Sequence, residues 1–393
     1  MTWQSLPFPE TIRKTRIGRE NQIPASEIKP AGQFPVIDQG QAFIAGYSDD
    51  EKRAIKDELP LVIFGDHTRV IKFVDFPFIL GADGTKVLKP REDKFEARFF
   101  AFALESLNLP SRGYNRHFTL LKERHIVRPE LPEQRKIAGV LRSVQQAMEQ
   151  QERLLALTAE LKKALVHQLF THGLRQEPQK ETEIGQIPKG WETVRVAKVG
   201  QVITGSTPST KREEYYGGDY NLISPVDLDA GKYVRTAHRK LTKEGFKQCR
   251  ALPGDAVMVG CIGNIGKIGM TANEKSATNQ QINSIVCNKD FNPHFVFYSL
   301  QFHRPRLEQA AAKVTVPILN KSNFENFQIA APHKPEQDEI ADALSILDRK
   351  IEQTNQKKQS LTNLFRTLLH ELMTARIRVD KLDLSVIESS TDD

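Results

Sequence analysis

Two stretches of the chain carry apolar residues at the spacing of a long amphipathic helix. The stripes share the spacing four, three, four and comprise Ile137, Leu141, Val144 and Met148 in the first stretch and Ile340, Leu344, Leu347 and Ile351 in the second. Two apolar positions in seven form a narrow stripe, which is typical of a coiled coil. Each stretch therefore predicts a helix of about 38 residues, or roughly 57 Å, with a seam that needs a partner helix.

The two stretches are copies of one another. Residues 132–175 align without gaps on residues 335–378, and 14 of the 44 pairs are identical, where unrelated sequences would give about three. Both copies open with a proline, Pro132 or Pro335, which fits the first turn of a helix. After a polar interruption the stripes resume at Leu161, Leu165 and Leu169 and at Leu364, Leu368 and Leu372. The alternative is two unpaired helices, each packed on its own domain.

The segments that precede the two helices are related more weakly. Trp3 and Trp191 open the two copies, and the apolar run 61–65 corresponds to 256–260. The aromatic stretch Phe99–Leu104 corresponds to Phe295–Leu300. These segments are rich in β-branched and aromatic residues and are interrupted by Gly, Asn, Asp and Pro, which favours mixed, β-rich globular domains with a few helices. The predicted fold class is α+β.

The repeat predicts the organisation of the whole chain. The expected segments are a first globular domain at 1–131, a long helix at 132–173, a second domain at 174–332 that opens with a polar linker at 174–190, a second long helix at 333–378, and a polar tail at 379–393. The linker and the tail are assigned from their polar composition and from Pro and Gly.

Composition narrows the function classes. The 56 Lys and Arg outnumber the 49 Asp and Glu, for a net charge of +7, which weakly favours a polyanionic partner. The three cysteines form no CxxC pair, so a reduced, cytoplasmic setting fits and a Cys-based zinc site is not expected. The apolar runs are too short to span a bilayer, and no signal peptide is recognised at residues 1–20.

The sequence offers little that resembles a catalytic site. The run 260–268, GCIGNIGKI, resembles a phosphate-binding loop, but its glycines are one residue too far apart and Ile268 replaces the Ser or Thr that meets magnesium. Asp83, Glu92 and Lys94 imitate the carboxylates and lysine of metal-dependent nucleases. With no metal site expected, the doubled module favours a non-catalytic subunit that directs an enzyme. A standalone nuclease or nuclease–methyltransferase component using Asp83, Glu92 and Lys94 is the alternative.

Short motifs along the chain resemble one family. They are LPEQRKIA at 131–138 and KPEQDEIA at 334–341, IPKGW at 187–191, GSTPS at 205–209 followed by YYGG at 215–218, Gly254-Asp255, GNIGK at 263–267, ATNQ at 277–280 and GYNR at 113–116. In these motifs the chain resembles the DNA-specificity (S) subunit of type I restriction–modification systems over essentially its whole length. The first domain departs from the pattern because it lacks the GSTPS stretch.

The resemblance implies a function in phage defence. Two target-recognition domains would each recognise half of a bipartite site in double-stranded DNA, and the long helices would form an antiparallel coiled coil. The helices would dock two methyltransferase subunits and, through them, restriction subunits. This chain would hold no cofactor, since S-adenosylmethionine, ATP and Mg belong to the partner subunits, which methylate adenine and cut DNA. An orphan specificity subunit with a regulatory methylation role remains a second alternative.

Candidate contact residues follow from the side chains that bind phosphates and base edges. For DNA they are His67, Thr68, Arg69, Lys72, Arg112, Asn115 and Arg116 in the first domain and Thr207, Ser209, Thr210, Lys211, Arg212, Asn264, Lys267, Asn279 and Gln280 in the second. The apolar stripes also exceed what one helix pair covers, which predicts a partner surface. Its candidates are Leu154, Leu157, Phe170, Phe365, Leu369 and Met373.

Overall fold

A computed structural model of the chain describes residues 3–110, 113, 115–311 and 316–379. The chain divides into two compact units. Unit 1 comprises Met1–Glu152 and Lys357–Asp393, and unit 2 comprises Arg153–Gln356. Each unit therefore contains half of each long helix.

Unit 1 is built from two four-stranded sheets, a two-stranded ribbon and short helices. Its strands are β1 (Gln4–Pro7), β2 (Ile12–Arg13), β3 (Gln22–Ile23), β4 (Phe34–Ile37), β5 (Gly46–Ser48), β6 (Leu61–Gly65), β7 (Ile71–Val74), β8 (Ile79–Gly81), β9 (Thr85–Pro90) and β10 (His125–Arg128), and its helices are α1 (Ala97–Ser106), α2 (Phe118–Lys122) and the start of α3 (Leu131–His172). The sheets have the orders β2-β9-β6-β7 and β3-β8-β4-β5, and β1 pairs with β10.

Unit 2 contains more strands. They are β11 (Gln179–Thr182), β12 (Gly185–Pro188), β13 (Glu192–Arg195), β14 (Gly200–Thr204), β15 (Tyr216–Ile223), β16 (Tyr233–Val234), β17 (Arg239–Leu241), β18 (Ala251–Leu252), β19 (Val257–Gly260), β20 (Ile268–Thr271), β21 (Ser276–Thr278), β22 (Ile282–Cys287) and β23 (Gln328–Ala331). The helices are α4 (Val196–Val199), α5 (Lys243–Lys247), α6 (Pro293–Phe302), α7 (Arg304–Ala310), α8 (Lys321–Asn326) and α9 (Lys334–Met373), whose end lies in unit 1.

The two units share a topological plan. The order β14-β22-β19-β20 in unit 2 repeats β2-β9-β6-β7, and the ribbon β13–β23 repeats β1–β10. Unit 2 adds β16 at the edge of this sheet, next to β20. The predicted linker holds the hairpin β11–β12, and Ile187 on β12 is buried in the core. The sequence repeat therefore extends to the strands, where identity is weak.

The repeated PEQ motif joins each long helix to its own unit. Glu133 accepts a hydrogen bond from Trp3 Nε1, and Glu336 accepts one from Trp191 Nε1, both at 3.1 Å. The next residue is a buried glutamine in both copies. Gln134 accepts a bond from the Glu96 backbone amide before α1 and donates to two carbonyl oxygens. Gln337 makes the same three bonds before α6, and buried amides need such partners.

The long helices pack against each other antiparallel. In unit 1 the start of α3, with Ile137 and Leu141, shares a core with Leu372 near the end of α9. In unit 2 the end of α3, with Leu169, shares a core with Ile340 at the start of α9. The predicted α+β class with two repeated β-rich domains and a pair of long helices is confirmed. None of the helices in the described ranges is long and apolar enough to cross a bilayer.

Candidate nucleic-acid interface

The strand register of unit 2 brings three loops to one end of its larger sheet. Thr204 at the end of β14 lies opposite Asn283, and Gly260 at the end of β19 lies opposite Ile282. The loop after β14, the turn before β22 and the β19–β20 connection therefore meet at the same end. All of the second-domain candidates for DNA contact lie on these three segments.

The loop after β14 is held against the turn before β22. Thr207 Oγ1 lies 2.7 Å from Gln280 Oε1, and the Ser206 amide donates to the carbonyl of Thr278. A Cβ on Gly205 would lie 2.1 Å from the Asn279 carbonyl oxygen. Only glycine permits this approach, which explains the first residue of GSTPS.

Polar side chains project from this platform. Ser209, Thr210 and Lys211 are exposed, and so is Arg212, whose guanidinium lies 3.1 Å from Tyr215 Oη. Asn279 plays a structural part in addition, since its amide donates to Gln281 and its side-chain oxygen accepts from the Gln281 backbone amide.

The β19–β20 loop carries two candidate DNA-contact residues that differ in exposure and in pairing. Asn264 is exposed at the tip of the loop. Lys267 is only 19% exposed, and its ammonium donates to Asp229. This ion pair offsets the charge of Lys267, so Asn264 is the more accessible of the two groups.

In unit 1 a glutamine that the sequence did not single out arranges the corresponding end. Gln39 accepts a bond from the His67 amide through its side chain and one from Thr68 Oγ1 through its carbonyl oxygen. Its side-chain amide also donates to the carbonyl of Asp83. Gln39 thereby joins the β6–β7 loop to the β8–β9 loop.

The segment before α2 packs on the same end of unit 1. Asp66 accepts hydrogen bonds from the amides of His117 and Phe118. The preceding residues Asn115 and Arg116 are exposed there. Of the first-domain candidates, Arg112 lies outside the described residues. The β6–β7 loop and the segment before α2 therefore form one polar surface.

Lys72 and Arg69 are bound to their own unit. Lys72 is 3% exposed, and its Nζ donates to the backbone carbonyls of Asp38 and Ala42 at 2.8 and 2.6 Å. Burial lowers the pKa of Lys72, against the opposing effect of Asp38. The Arg69 guanidinium donates to the carbonyl of Leu109 at 2.6 Å. These contacts indicate a structural role for both side chains. They also leave fewer hydrogen-bond donors on either side chain for a ligand.

The nuclease alternative is not favoured by the geometry. Asp83 precedes β9 and Glu92 follows it, so a six-residue strand, about 20 Å long, separates the two carboxylates. Glu92 is paired with Lys89 at 2.7 Å. Within the described ranges, no group of His, Cys, Asp and Glu is arranged to hold a metal ion.

The apolar candidates for a partner surface divide into two groups. Phe170, Phe365 and Met373 are buried in the cores of their own units, where Phe170 packs against Phe295 and Phe365 against Phe102. They are therefore corrected from surface to core residues. Leu154 and Leu369 are half-buried, whereas Leu157 is 59% exposed. Further exposed apolar residues on the long helices, which the periodicity did not distinguish, are Leu161, Ile346 and Leu364.

A basic segment of unit 2 was also missed. Helix α5 packs beside the loop after β14, where the Gly245 position lies against the Tyr215 carbonyl. Its exposed Lys243 and Lys247 precede Arg250, whose guanidinium donates to the Thr204 carbonyl at 2.6 Å. The signal available in the sequence was the run RKLTKEGFKQCR at 239–250.

Comparison with known proteins relates this chain to one family. Residues 188–363 match the model of the type I restriction modification DNA specificity domain. The MjaIX specificity subunit of Methanocaldococcus jannaschii is 33% identical over 199 residues, which cover 49% of this chain and 45% of that protein. The HindI specificity subunit of Haemophilus influenzae is 32% identical over 155 residues, covering 38% and 33%. The matches thus span less than half the length of these relatives.

A solved structure extends the likeness of the fold to nearly the whole chain. The S subunit of the type I restriction–modification system from M. genitalium superposes with a TM-score of 0.68, covering 95% of this chain and 96% of that one at 15% identity. Together, these findings show that residues 188–363 are similar to a type I restriction modification DNA specificity domain and that nearly the whole chain shares the fold of an S subunit.

Proposed function

We propose that this protein is the DNA-binding specificity subunit of a type I restriction–modification complex. Each unit recognises one half of a bipartite DNA site through the loops at one end of one sheet, which is β2-β9-β6-β7 in unit 1 and the five-stranded sheet in unit 2. The chain itself carries no catalytic step and acts in the cytoplasm; adenine methylation and ATP-driven cleavage belong to partner subunits that bring their own cofactors.

The observation that carries this proposal is the convergence of the three loops in unit 2. Hydroxyl and amide groups of Thr207, Gln280 and Asn264 supply donors and acceptors for base edges. Lys211 and Arg212 supply exposed cations for phosphates. In unit 1, Asn115 and Arg116 offer the same chemistry beside the β6–β7 loop, whereas Lys72 is left out because its ammonium is fully engaged.

The partner surface is assigned to the exposed apolar side chains of the long helices. Leu157 and Leu161 lie one turn apart on α3 and are both more than half exposed. Two methyltransferase subunits, each covering one such area, would remove this surface from water. Replacing Leu157 and Leu161 with Lys should prevent copurification of a methyltransferase subunit, while the helix content stays unchanged.

Methylome sequencing of the source organism, with and without this gene, tests the function directly. We expect one bipartite methylated motif to disappear when the gene is deleted. Replacing Thr207 and Gln280 with Ala should alter one half of the motif only. An unchanged methylome would contradict the proposal. An orphan regulatory subunit would give the same motif without restriction of unmodified phage DNA, so a plaque assay separates the two alternatives.

A further inference from the structure

A cluster of polar side chains joins the globular part of unit 2 to both long helices. Lys232 and Tyr298 come from the globular part, Lys162 from α3 and Asp348 from α9. Tyr298 donates to Asp348 Oδ2 at 2.5 Å, and Lys162 pairs with Asp348 Oδ1 at 2.5 Å. Lys232 donates to Tyr298 Oη at 2.8 Å and to Ser345 Oγ at 3.1 Å.

The cluster is largely enclosed. Tyr298 is fully buried, and the side chains of Lys232, Lys162 and Asp348 are 11%, 19% and 19% exposed. The two ammonium groups also lie 4.5 and 5.4 Å from the centroid of the Tyr298 ring. Removing one member of such a cluster leaves a buried charge without its partner, which costs more than the loss of a surface pair.

The repeat offers each helix a second possible partner. At the offset of 203, the start of α3 is equivalent to the start of α9. The end of α3 could therefore pair with the start of α3 from a second copy of the chain. In that pairing, Lys162 would face Gln145 and Arg142 in place of Asp348 and Ser345.

The converse pairing, α9 with α9, is unfavourable for a different reason. Phe365 is equivalent to Lys162, so its ring would cover Asp348. Both self-pairings lose the ion pair between Lys162 and Asp348, whereas the pairing of α3 with α9 keeps every contact of the cluster. We propose that the cluster of Lys162, Lys232, Tyr298 and Asp348 is a pairing-specificity element that directs the end of α3 to the start of α9 and excludes a second copy of the same helix.

Reciprocal charge reversal in two full-length chains tests this selection. One tagged chain carries Lys162→Glu, and a differently tagged chain carries Asp348→Lys. Within either chain the pair is repulsive, but exchange between the chains restores opposite charges at both sites. After coexpression, we expect mixed assemblies to exceed those of either variant with itself by about tenfold, as for one well-coupled charge pair.

Matched controls separate this effect from general surface charge. Lys163→Glu and Asp342→Lys make the same charge changes at exposed neighbouring positions, and they should leave mixed assemblies at the wild-type level. The double variant Lys162→Glu/Asp348→Lys in one chain should also return to that level. Equal copurification for all combinations would overturn the proposal.

A neutral variant covers the case in which the charge-reversed chains do not fold. In Lys162→Met/Asp348→Asn the side chains keep their approximate volumes while the discrimination between partners is lost. We expect copurification of two such chains to rise above the wild-type level. If it stays at the wild-type level while circular dichroism reports intact helices, the cluster does not select the partner.

Discussion

The two units bind their long helices through the same arrangement of elements, but one equivalent contact is apolar in unit 1 and polar in unit 2. In unit 1, Phe102 on α1 packs against Phe365 on α9 with ring centroids 5.9 Å apart. The residues equivalent to this pair in unit 2 are Tyr298 and Lys162, which meet as an aromatic ring and a cation. A duplicated contact has thus become apolar in one copy and polar in the other.

The difference shows which part of the repeat is constrained. The glutamates and glutamines of the PEQ motif make the same bonds in both units, because they satisfy backbone and indole groups that both copies retain. The contact between domain and helix could diverge, since either an apolar or a fully paired polar contact is stable there. Divergence at this contact therefore makes the two units non-equivalent in the way that each holds the long helices.

The tryptophans that open the two copies give the largest contrast in stability. Trp191 is fully buried against Phe170 and Phe295, whereas Trp3 is only half-buried. Trp191→Ala should lower the free energy of unfolding by about 3–5 kcal/mol, as for other large core truncations. Trp3→Ala should cost less than half as much. Denaturant unfolding of both variants measures this, and equal costs would show that the two anchors are equivalent.

Exchanging the chemistry of the aromatic contact should destabilise both units. Phe102→Tyr places a hydroxyl beside Phe365 without a hydrogen-bond partner, and Tyr298→Phe leaves Asp348 and Lys232 short of one. Each change should cost about 1–3 kcal/mol. Thermal unfolding monitored by circular dichroism gives the values. A neutral Phe102→Tyr would mean that the apolar contact in unit 1 already admits a polar group.

A buried histidine makes the stability of unit 2 depend on pH, and the equivalent position of unit 1 has no titratable side chain. Burial, assisted by the charge of Arg306, lowers the pKa of His303 from 6.5 to about 3. The equivalent residue in unit 1 is Leu107. Between these two pKa values the unfolded chain binds more protons than the folded one, so stability falls as the pH drops below 6.5.

Acidification from pH 7 to pH 5 should therefore cost about 2 kcal/mol through His303 alone. His303→Gln should remove this part of the pH dependence. Denaturant unfolding of wild type and variant at the two pH values supplies the comparison, with His125→Gln, at an exposed position of unit 1, as the control. Identical pH slopes in wild type and His303→Gln would contradict the assigned burial effect.

Periodicity and self-comparison predicted the two long helices, their pairing and the duplicated β-rich domains. They failed where a residue type has two physical uses. Lys72 is a residue type that commonly contacts phosphates, yet its ammonium donates hydrogen bonds to the backbone carbonyls of Asp38 and Ala42 on an earlier loop. Phe170 and Phe365 belong to the apolar stripes, but only the packed structure shows that the domains cover them. Gln39 carries no local signal because its partners are distant in sequence.

The smallest predicted effect separates the recognition loops of the two units. Lys211 and Arg212 are exposed at the loop end of the unit 2 sheet, whereas Lys289 is exposed just beyond the opposite end of β22. Lys211→Ala and Arg212→Ala should each weaken DNA binding by about 1 kcal/mol and, if they meet phosphates, reduce the salt slope by about one. Lys289→Ala should change neither quantity.

The half-site read by unit 1 should keep its preference in these variants, because none of the three side chains belongs to that unit. Binding of the assembled complex to DNA with either half-site scrambled, at two salt concentrations, measures both effects. If Lys211 or Arg212 instead meets a guanine edge, the loss is confined to one base pair and the salt slope changes little. Loss of discrimination in the half-site of unit 1 would show that the two units do not recognise DNA independently.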